Sequence, residues 1–398
     1  MRLLAFLALP LVLAIPASAQ TGSDVRPDDR LAHEHMVVLD THLDIPARWD
    51  DGTWDFGVRH RYDWDLTQVD LPRMEEGGLD GGFFVVFTAQ GELTPQGYRT
   101  ARDAALVRTT AIRRVIGENH DRIGLALNAQ DAERLLAEGK RVAFISMENS
   151  WPLGEDLSLL TTFHQLGVRM AGPVHSRTNQ LADSATGEAR WNGLSPLGRQ
   201  WVAEMNRLGM LIDGSHSSDA TFDQMLAMSR TPIVLSHSGP KAMFNHPRNI
   251  DDERMRRLAR AGGVMFVNSV FLVQQDTSPE REAINDRHEH WAQLNAQERA
   301  QLLRDRAALD ALRPYTTADF ELFMRSLLHT IAVMGVDHVG LGADWDGGGG
   351  VIGMDDISAL PSITARLRRE GLSDADIGKI TGGNLMRVLR QAQAAAQP

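Results

Sequence analysis

The sequence predicts an α/β fold, a (β/α)8 TIM barrel with loop and helical insertions. Three observations predict it: a length of 398 residues, eight short apolar runs of which seven end in a polar residue, and helix signals between most of those runs. The runs are Met36 to Asp40, Gly82 to Phe87, Val142 to Glu148, Val168 to His175, Met210 to His216, Pro232 to His237, Gly263 to Asn268 and His338 to Asp344. They are rich in Val, Ile, Phe and Met, as buried parallel strands are. An open doubly wound sheet is the alternative arrangement of the same strands.

Taken in order, the chain begins with an address. Arg2 gives a positive start, Leu3 to Ile15 is apolar, and Ala17-Ser18-Ala19 is a small-x-small cleavage site before Gln20. The run is interrupted by Pro10 and Pro16 and falls short of the roughly 20 residues a membrane span requires. Residues 1–19 are therefore expected to be removed, leaving an exported, periplasmic or secreted protein without a membrane anchor. Residues 20–398 contain no linker rich in Pro, Gly or Ser and read as one domain.

The clearest helix runs from Pro196 to Leu208, with Ser195 as N-cap and Gly209 at its end. Leu197, Trp201, Val202, Met205 and Leu208 share one face, suited to covering a sheet. A second helix starts near Asp251, buries Met255 and Leu258, and stops at Gly262-Gly263. A barrel takes about 250 residues, so the surplus lies in insertions: a charged, helix-favouring stretch at 277–312 and a Trp- and Asp-rich loop from Trp49 to Asp65. The glycine run Gly347 to Gly350 reads as a flexible lip after the last strand.

Charge and composition narrow the function. There are 41 Lys and Arg against 52 Asp and Glu, a net charge of -11, with no basic block, which argues against a nucleic-acid partner. With no cysteine, any metal must be held by nitrogen and oxygen, and 14 histidines are available.

Barrels of this type carry their chemistry at the carboxyl ends of the strands. Those ends hold His42 and Asp44, Glu148, His175, His216, His237 and Asp344. His42-Leu43-Asp44 alone would be a hydrogen-bonded cap, and a lone His216 or His237 would be a satisfied core histidine. Their recurrence at successive strand ends favours a metal site instead, with zinc the natural occupant of imidazole and carboxylate ligands. Glu148 closes a core strand, where a carboxylate requires a metal or an arginine. His33, His35, His60, His120, His164, His288, His290 and His329 lack that setting and read as surface or structural. Gly340-Leu341-Gly342 lacks the third glycine of a dinucleotide loop, and neither Gly139-Lys140 nor Gly378-Lys379 continues as a phosphate loop. Ser195 is explained by its cap, and His33-Glu34-His35 is too tight for the helical zinc motif.

The segments Asp40-Thr41-His42-Leu43-Asp44-Ile45-Pro46, Ser146-Met147-Glu148-Asn149, Glu204 to His216, Pro232 to Ser238, Asn245-His246-Pro247-Arg248-Asn249 and Gly340 to Gly347 resemble the membrane (renal) dipeptidase family. The similarity runs in order from about residue 36 to Gly382-Gly383-Asn384-Leu385-Met386-Arg387-Val388. It implies an amidohydrolase-type barrel with two zinc ions per subunit and a dipeptide substrate. By that resemblance His42 and Asp44 hold one zinc, His216 and His237 the other, and Glu148 bridges both. His175 faces the substrate, Arg248 receives its free carboxylate, and Asp344 handles protons, while a water activated between the metals attacks the amide. The absence of cysteine departs from the mammalian disulfides, and no apolar tail for a lipid anchor is seen, so a homodimer stays open and anchoring is not inherited. Lactone or β-lactam opening, deamination, or a non-catalytic metal- or peptide-binding role in the envelope are the alternatives.

Overall fold

Residues 25–49 and 52–397 are described in the computed structural model, so the expected export signal and its cleavage beside Gln20 lie outside the described residues. Each of the eight apolar runs contributes a strand, and one further strand joins them. In chain order they are β1 (Leu39–Leu43), β2 (Gly81–Phe87), β3 (Ile123–Leu125), β4 (Arg141–Glu148), β5 (Val168–Ala171), β6 (Leu211–Ile212), β7 (Val234–Ser238), β8 (Val264–Val267) and β9 (Val339–Leu341). All named pairs are parallel and follow the order β6-β5-β4-β2-β1-β9-β8-β7, with β3 off this path beside β4. The two ends of the path meet at the Asp213–Val234 bridge, where Gly214 N donates to Val234 O at 2.7 Å. The result is a (β/α)8 barrel with a seam between β6 and β7.

The alternation of β4 shows how sequence becomes site. Val142 and Phe144 belong to one buried cluster, with Phe83, Met170, Leu211, Val234 and Phe266 from the neighbouring strands. Ala143, Ile145 and Met147 belong to another, shared with the surrounding helices. With a period of two, Ser146 and Glu148 continue the Val142–Phe144 face, which brings Glu148 to the mouth. Leu385, Val388, Leu389 and Ala392 of the helix Asn384–Ala394 join the cluster of Val142 and Phe144.

The helix Pro196–Leu208 has the expected ends: Ser195 accepts from Gly198 N, and Gly209 takes φ 68°. The second expected helix is Asp252–Arg260, capped by Asp251, with Met255 and Leu258 buried. Residues 277–312 form two helices, Pro279–Glu289 and Ala296–Leu312, around a small cluster of Ile284, Trp291 and Leu302. This insertion docks on the loop after β1. Arg48 reaches His288 and lies over Trp291, and Arg306 reaches the Tyr62 hydroxyl. Among the described residues no helix is long and apolar enough to cross a membrane.

Two expectations are corrected. Several runs are strand for only part of their length: β6 is two residues long, and His175, His216 and Asp344 lie on turns beyond β5, β6 and β9. The glycine run is a packed turn. Gly349 N donates to Asp344 O at 2.8 Å and Gly350 N to Ser269 Oγ at 2.8 Å, and a Cβ on Gly349 would collide with the carbonyls of Ala343 and Asp344. Glycine is needed there for space.

Candidate active site

Irregular backbone aims the polar side chains inward. The register of β1 against β2 shifts between Asp40 and Leu43, and that of β7 against β8 between Leu235 and Ser238. These stretches carry His42 and His237, and such bulges re-aim side chains beside active sites. His216 and Asp344 adopt φ 66° and 69°, and Asn149, next to Glu148, adopts φ 65°. Non-glycine residues hold this left-handed conformation only where their surroundings enforce it.

The side chains converge on Glu148. His216 Nε2 lies 2.9 Å from Glu148 Oε1, His237 Nε2 3.4 Å and His175 Nε2 3.8 Å, while His42 Nε2 is 3.6 Å from Oε2. His42 Nε2 is also 3.3 Å from Asp44 Oδ2 and 4.0 Å from Asp344 Oδ1. The Nε2 atoms of His216 and His237 stand 2.8 Å apart. Among the described residues Glu148 has no arginine within ion-pair range; the groups around it are imidazoles.

The chemistry of this donor set fits metal. Ligand atoms of His42, Glu148 and His237, of Glu148, His175 and His216, and of His42, Asp44 and Asp344 form three groups, each within 4.8 Å. The Nδ1 atoms of His42 and His216 are buried without a hydrogen-bond partner. Buried lone pairs crowded around one carboxylate are costly without a cation, and a divalent ion accepting nitrogen and oxygen ligands relieves that cost.

Electrostatics separate the carboxylates. Burial pushes Asp344 up to about 7, with Asp44 and Glu148 adding to the push against His42. Burial would also raise Glu148, but His175, His42 and the hydrogen bonds of His216 and His237 hold it well below the usual range. Burial lowers His175, and lowers His237 to about 4 with His42 contributing. His42 is the exception: Asp44 and Glu148 outweigh its burial and raise it.

Arg248 stands beside this cluster, 5% exposed. It lines a small pocket together with His216, Phe222 and Ile250. Its Nη2 donates to His237 O at 3.3 Å, its Nε has no partner, and its guanidinium lies 5.3 Å from the Phe271 ring centre. Among the described residues no carboxylate lies within ion-pair range of it. His175 is the most open of the four imidazoles, with 30% of its side chain exposed; it packs on Phe87, and its Nδ1 meets Ser176 Oγ at 2.9 Å.

Sequence reasoning missed two aspartates that brace the mouth. Asp40 accepts from His42 N at 2.8 Å and from Ala343 N at 3.0 Å, tying β1 to the turn of Asp344. Asp213 does the same between β6 and β7. The available signal is an aspartate inside an apolar run, two or three residues before a site histidine.

A family model described as membrane dipeptidase, peptidase family M19, matches residues 29–398. Dipeptidase tcpJ of Claviceps purpurea is 31% identical over 357 residues, 86% of this chain and 74% of that protein. Dipeptidase aclJ of Aspergillus oryzae is 31% identical over 376 residues, 91% and 79%. Among solved structures, the probable dipeptidase PvdM from Pseudomonas aeruginosa is 29% identical with a TM-score of 0.79, covering 93% of this chain and 98% of that one. A metallo peptidase from Rhodobacter sphaeroides, liganded with a phosphinate mimic of the dipeptide L-Ala-D-Ala, is 25% identical with a TM-score of 0.71, covering 90% and 99%.

Proposed function

The chain belongs to the membrane dipeptidase family of metallopeptidases, and from that premise we propose that it hydrolyses dipeptides at a two-zinc centre. His42, Asp44, Glu148, His216 and His237 would hold the ions, with Glu148 shared between them. Zinc bound there supplies a water acidic enough to attack near neutral pH and polarises the scissile carbonyl.

The chain's own residues do the rest. Arg248 binds the terminal carboxylate of the substrate in a forked, charge-assisted pair, which sets the amide over the cluster and excludes longer peptides. His175, whose Nδ1 meets Ser176 Oγ at 2.9 Å, turns Nε2 toward the cluster and offers a proton from it to the carbonyl oxygen as negative charge develops there. A preorganised donor of this kind is worth about 3 to 4 kcal/mol. Asp344, buried beside Asp44 and Glu148, takes the proton of the attacking water and passes it to the leaving amine. The products are two free amino acids.

The observation that carries this reading is Arg248, a buried guanidinium without an acidic partner beside a carboxylate and imidazole cluster. A buried charge left uncompensated is costly, and a substrate carboxylate compensates it. The test compares a dipeptide with the same dipeptide amidated at its C-terminus, before and after chelation and zinc return. Loss of one charge-assisted pair, about 3 kcal/mol, should make the amide at least 100-fold poorer in kcat/KM, and chelation should abolish turnover reversibly. Equal turnover of the two would remove Arg248 from its role.

A further inference from the structure

Asp213 is 5% exposed and stands where the barrel is least zipped, at the seam between β6 and β7. Its Oδ1 accepts from Ser215 N and from Ser236 N, both at 2.9 Å, so one atom ties the turn of His216 to the strand of His237. Its Oδ2 accepts from Ser236 Oγ at 2.5 Å. Ser236 Oγ in turn lies 2.8 Å from His237 Nδ1.

The direction of this chain is forced. A carboxylate oxygen only accepts, and a serine hydroxyl has a single proton to give. The other oxygen within reach, Ser215 Oγ, is 3.4 Å away and too distant to compete. Ser236 therefore gives its proton to Asp213, and its oxygen accepts from Nδ1–H of His237. The ring proton of His237 is thereby fixed on Nδ1, and Nε2 presents its lone pair toward Glu148 and His216. Only that lone pair binds a metal ion.

We propose that Asp213 is a positioning residue that locks His237 in its metal-binding tautomer through Ser236 while drawing the two histidine-bearing strand ends together across the seam. This rests on the metal-centre reading above, but its first test needs no metal. In Asp213→Asn the side-chain oxygen must stay with the two backbone N–H groups, which turns the amide NH2 toward Ser236 Oγ. The relay then reverses: Asn donates to Ser236, Ser236 donates to His237 Nδ1, and the ring proton moves to Nε2, where it blocks the ligand position.

The experiment uses 15N-histidine-labelled, metal-free protein and its imidazole nitrogen spectra. The wild type should show His237 protonated on Nδ1, and Asp213→Asn should show it on Nε2. Zinc titration against a competing chromogenic chelator should then show affinity lowered by about 10- to 100-fold in Asp213→Asn and Ser236→Ala, the usual effect of losing a group that orients a ligand. Ser236→Thr, which keeps the hydroxyl, should restore it. Should Asp213→Asn fail to fold, Ser236→Ala, which leaves both backbone bonds of Asp213 in place, decides alone. An unchanged tautomer in Asp213→Asn, or wild-type zinc affinity in Ser236→Ala, overturns the proposal. A wild type that binds no zinc would overturn the two-zinc centre instead, and the tautomer spectra would still decide the role of Asp213.

Discussion

Replacing Gly347 with Ala is the smallest change that should disable this site. A Cβ built on Gly347 falls within 3.0 Å of both Asp344 Oδ1 and Asp44 Oδ2, nearer than real Cβ atoms come to anything. Both neighbours are carboxylate oxygens, one on a proposed metal ligand and one on the proposed proton carrier. Restoring an ordinary contact of about 3.5 Å requires the two carboxylates to retreat by roughly 1 Å. Misplacement of that size costs about 100-fold in rate, near 2.7 kcal/mol of transition-state stabilisation. Alanine adds no charge, and the turn lies at the mouth of the barrel, so the strands beneath it should be unaffected. The assay pairs kcat on a dipeptide with zinc content and the melting curve of the metal-free protein. The expected result is a loss of about 100-fold in kcat, reduced zinc occupancy and an unchanged metal-free Tm. Wild-type turnover with full zinc occupancy would show that neither carboxylate needs the position it holds.

Three further outcomes follow from the same geometry. Arg248→Met should raise the substrate-free stability by about 1 kcal/mol or more, because an unpaired buried charge is removed, and should raise KM for dipeptides by about 100-fold; calorimetry and steady-state kinetics read the two separately. Asp344→Asn should retain zinc while kcat falls by at least about 100-fold, the usual share of a general acid–base group, as metal analysis beside turnover would show. His288 is drawn down to about 3, first by burial and then by Arg48 and Arg306. An unfolded histidine titrates near 6.5, so the folded insertion binds fewer protons below that pH. Its contribution is therefore complete above about 6.5 and is lost as pH falls toward 3, at up to about 1.4 kcal/mol per pH unit. The protection of residues 279–312, measured as exchange relative to the intrinsic amide rate at each pH, should fall in acid, and His288→Gln should flatten that dependence.

The parts of the molecule that were legible are those set by local chemistry. Ser195, Pro196 and Gly209 fix both ends of one helix by capping and backbone geometry, and no distant contact alters them. Glu148 is legible because a carboxylate closing the run Val142 to Met147 has no cheap explanation. β3 is not: Ile123–Leu125 is three residues with a glycine in the middle, and it is a strand only because β4 offers an edge. Asp40 and Asp213 escape notice because each also holds a backbone N–H of a distant segment, Ala343 for Asp40 and Ser236 for Asp213, and such a pairing leaves no trace in the spacing of residues. The docking of the insertion rests on pairs such as Arg306 with Tyr62, 244 residues apart. Gly347 to Gly350 reads as mobile because glycine's two uses, freedom and smallness, share one letter; here crowding by Ala343, Asp344 and Asp44 explains Gly347 and Gly349, and left-handed backbone explains Gly348 and Gly350.

The most direct measurement is anomalous diffraction at the zinc edge from crystals of the zinc-loaded protein. Two peaks about 3.5 to 4 Å apart are expected, both touching Glu148, one beside His42 and Asp44 and the other beside His216 and His237. A single peak, or peaks away from these five side chains, would contradict the two-zinc centre.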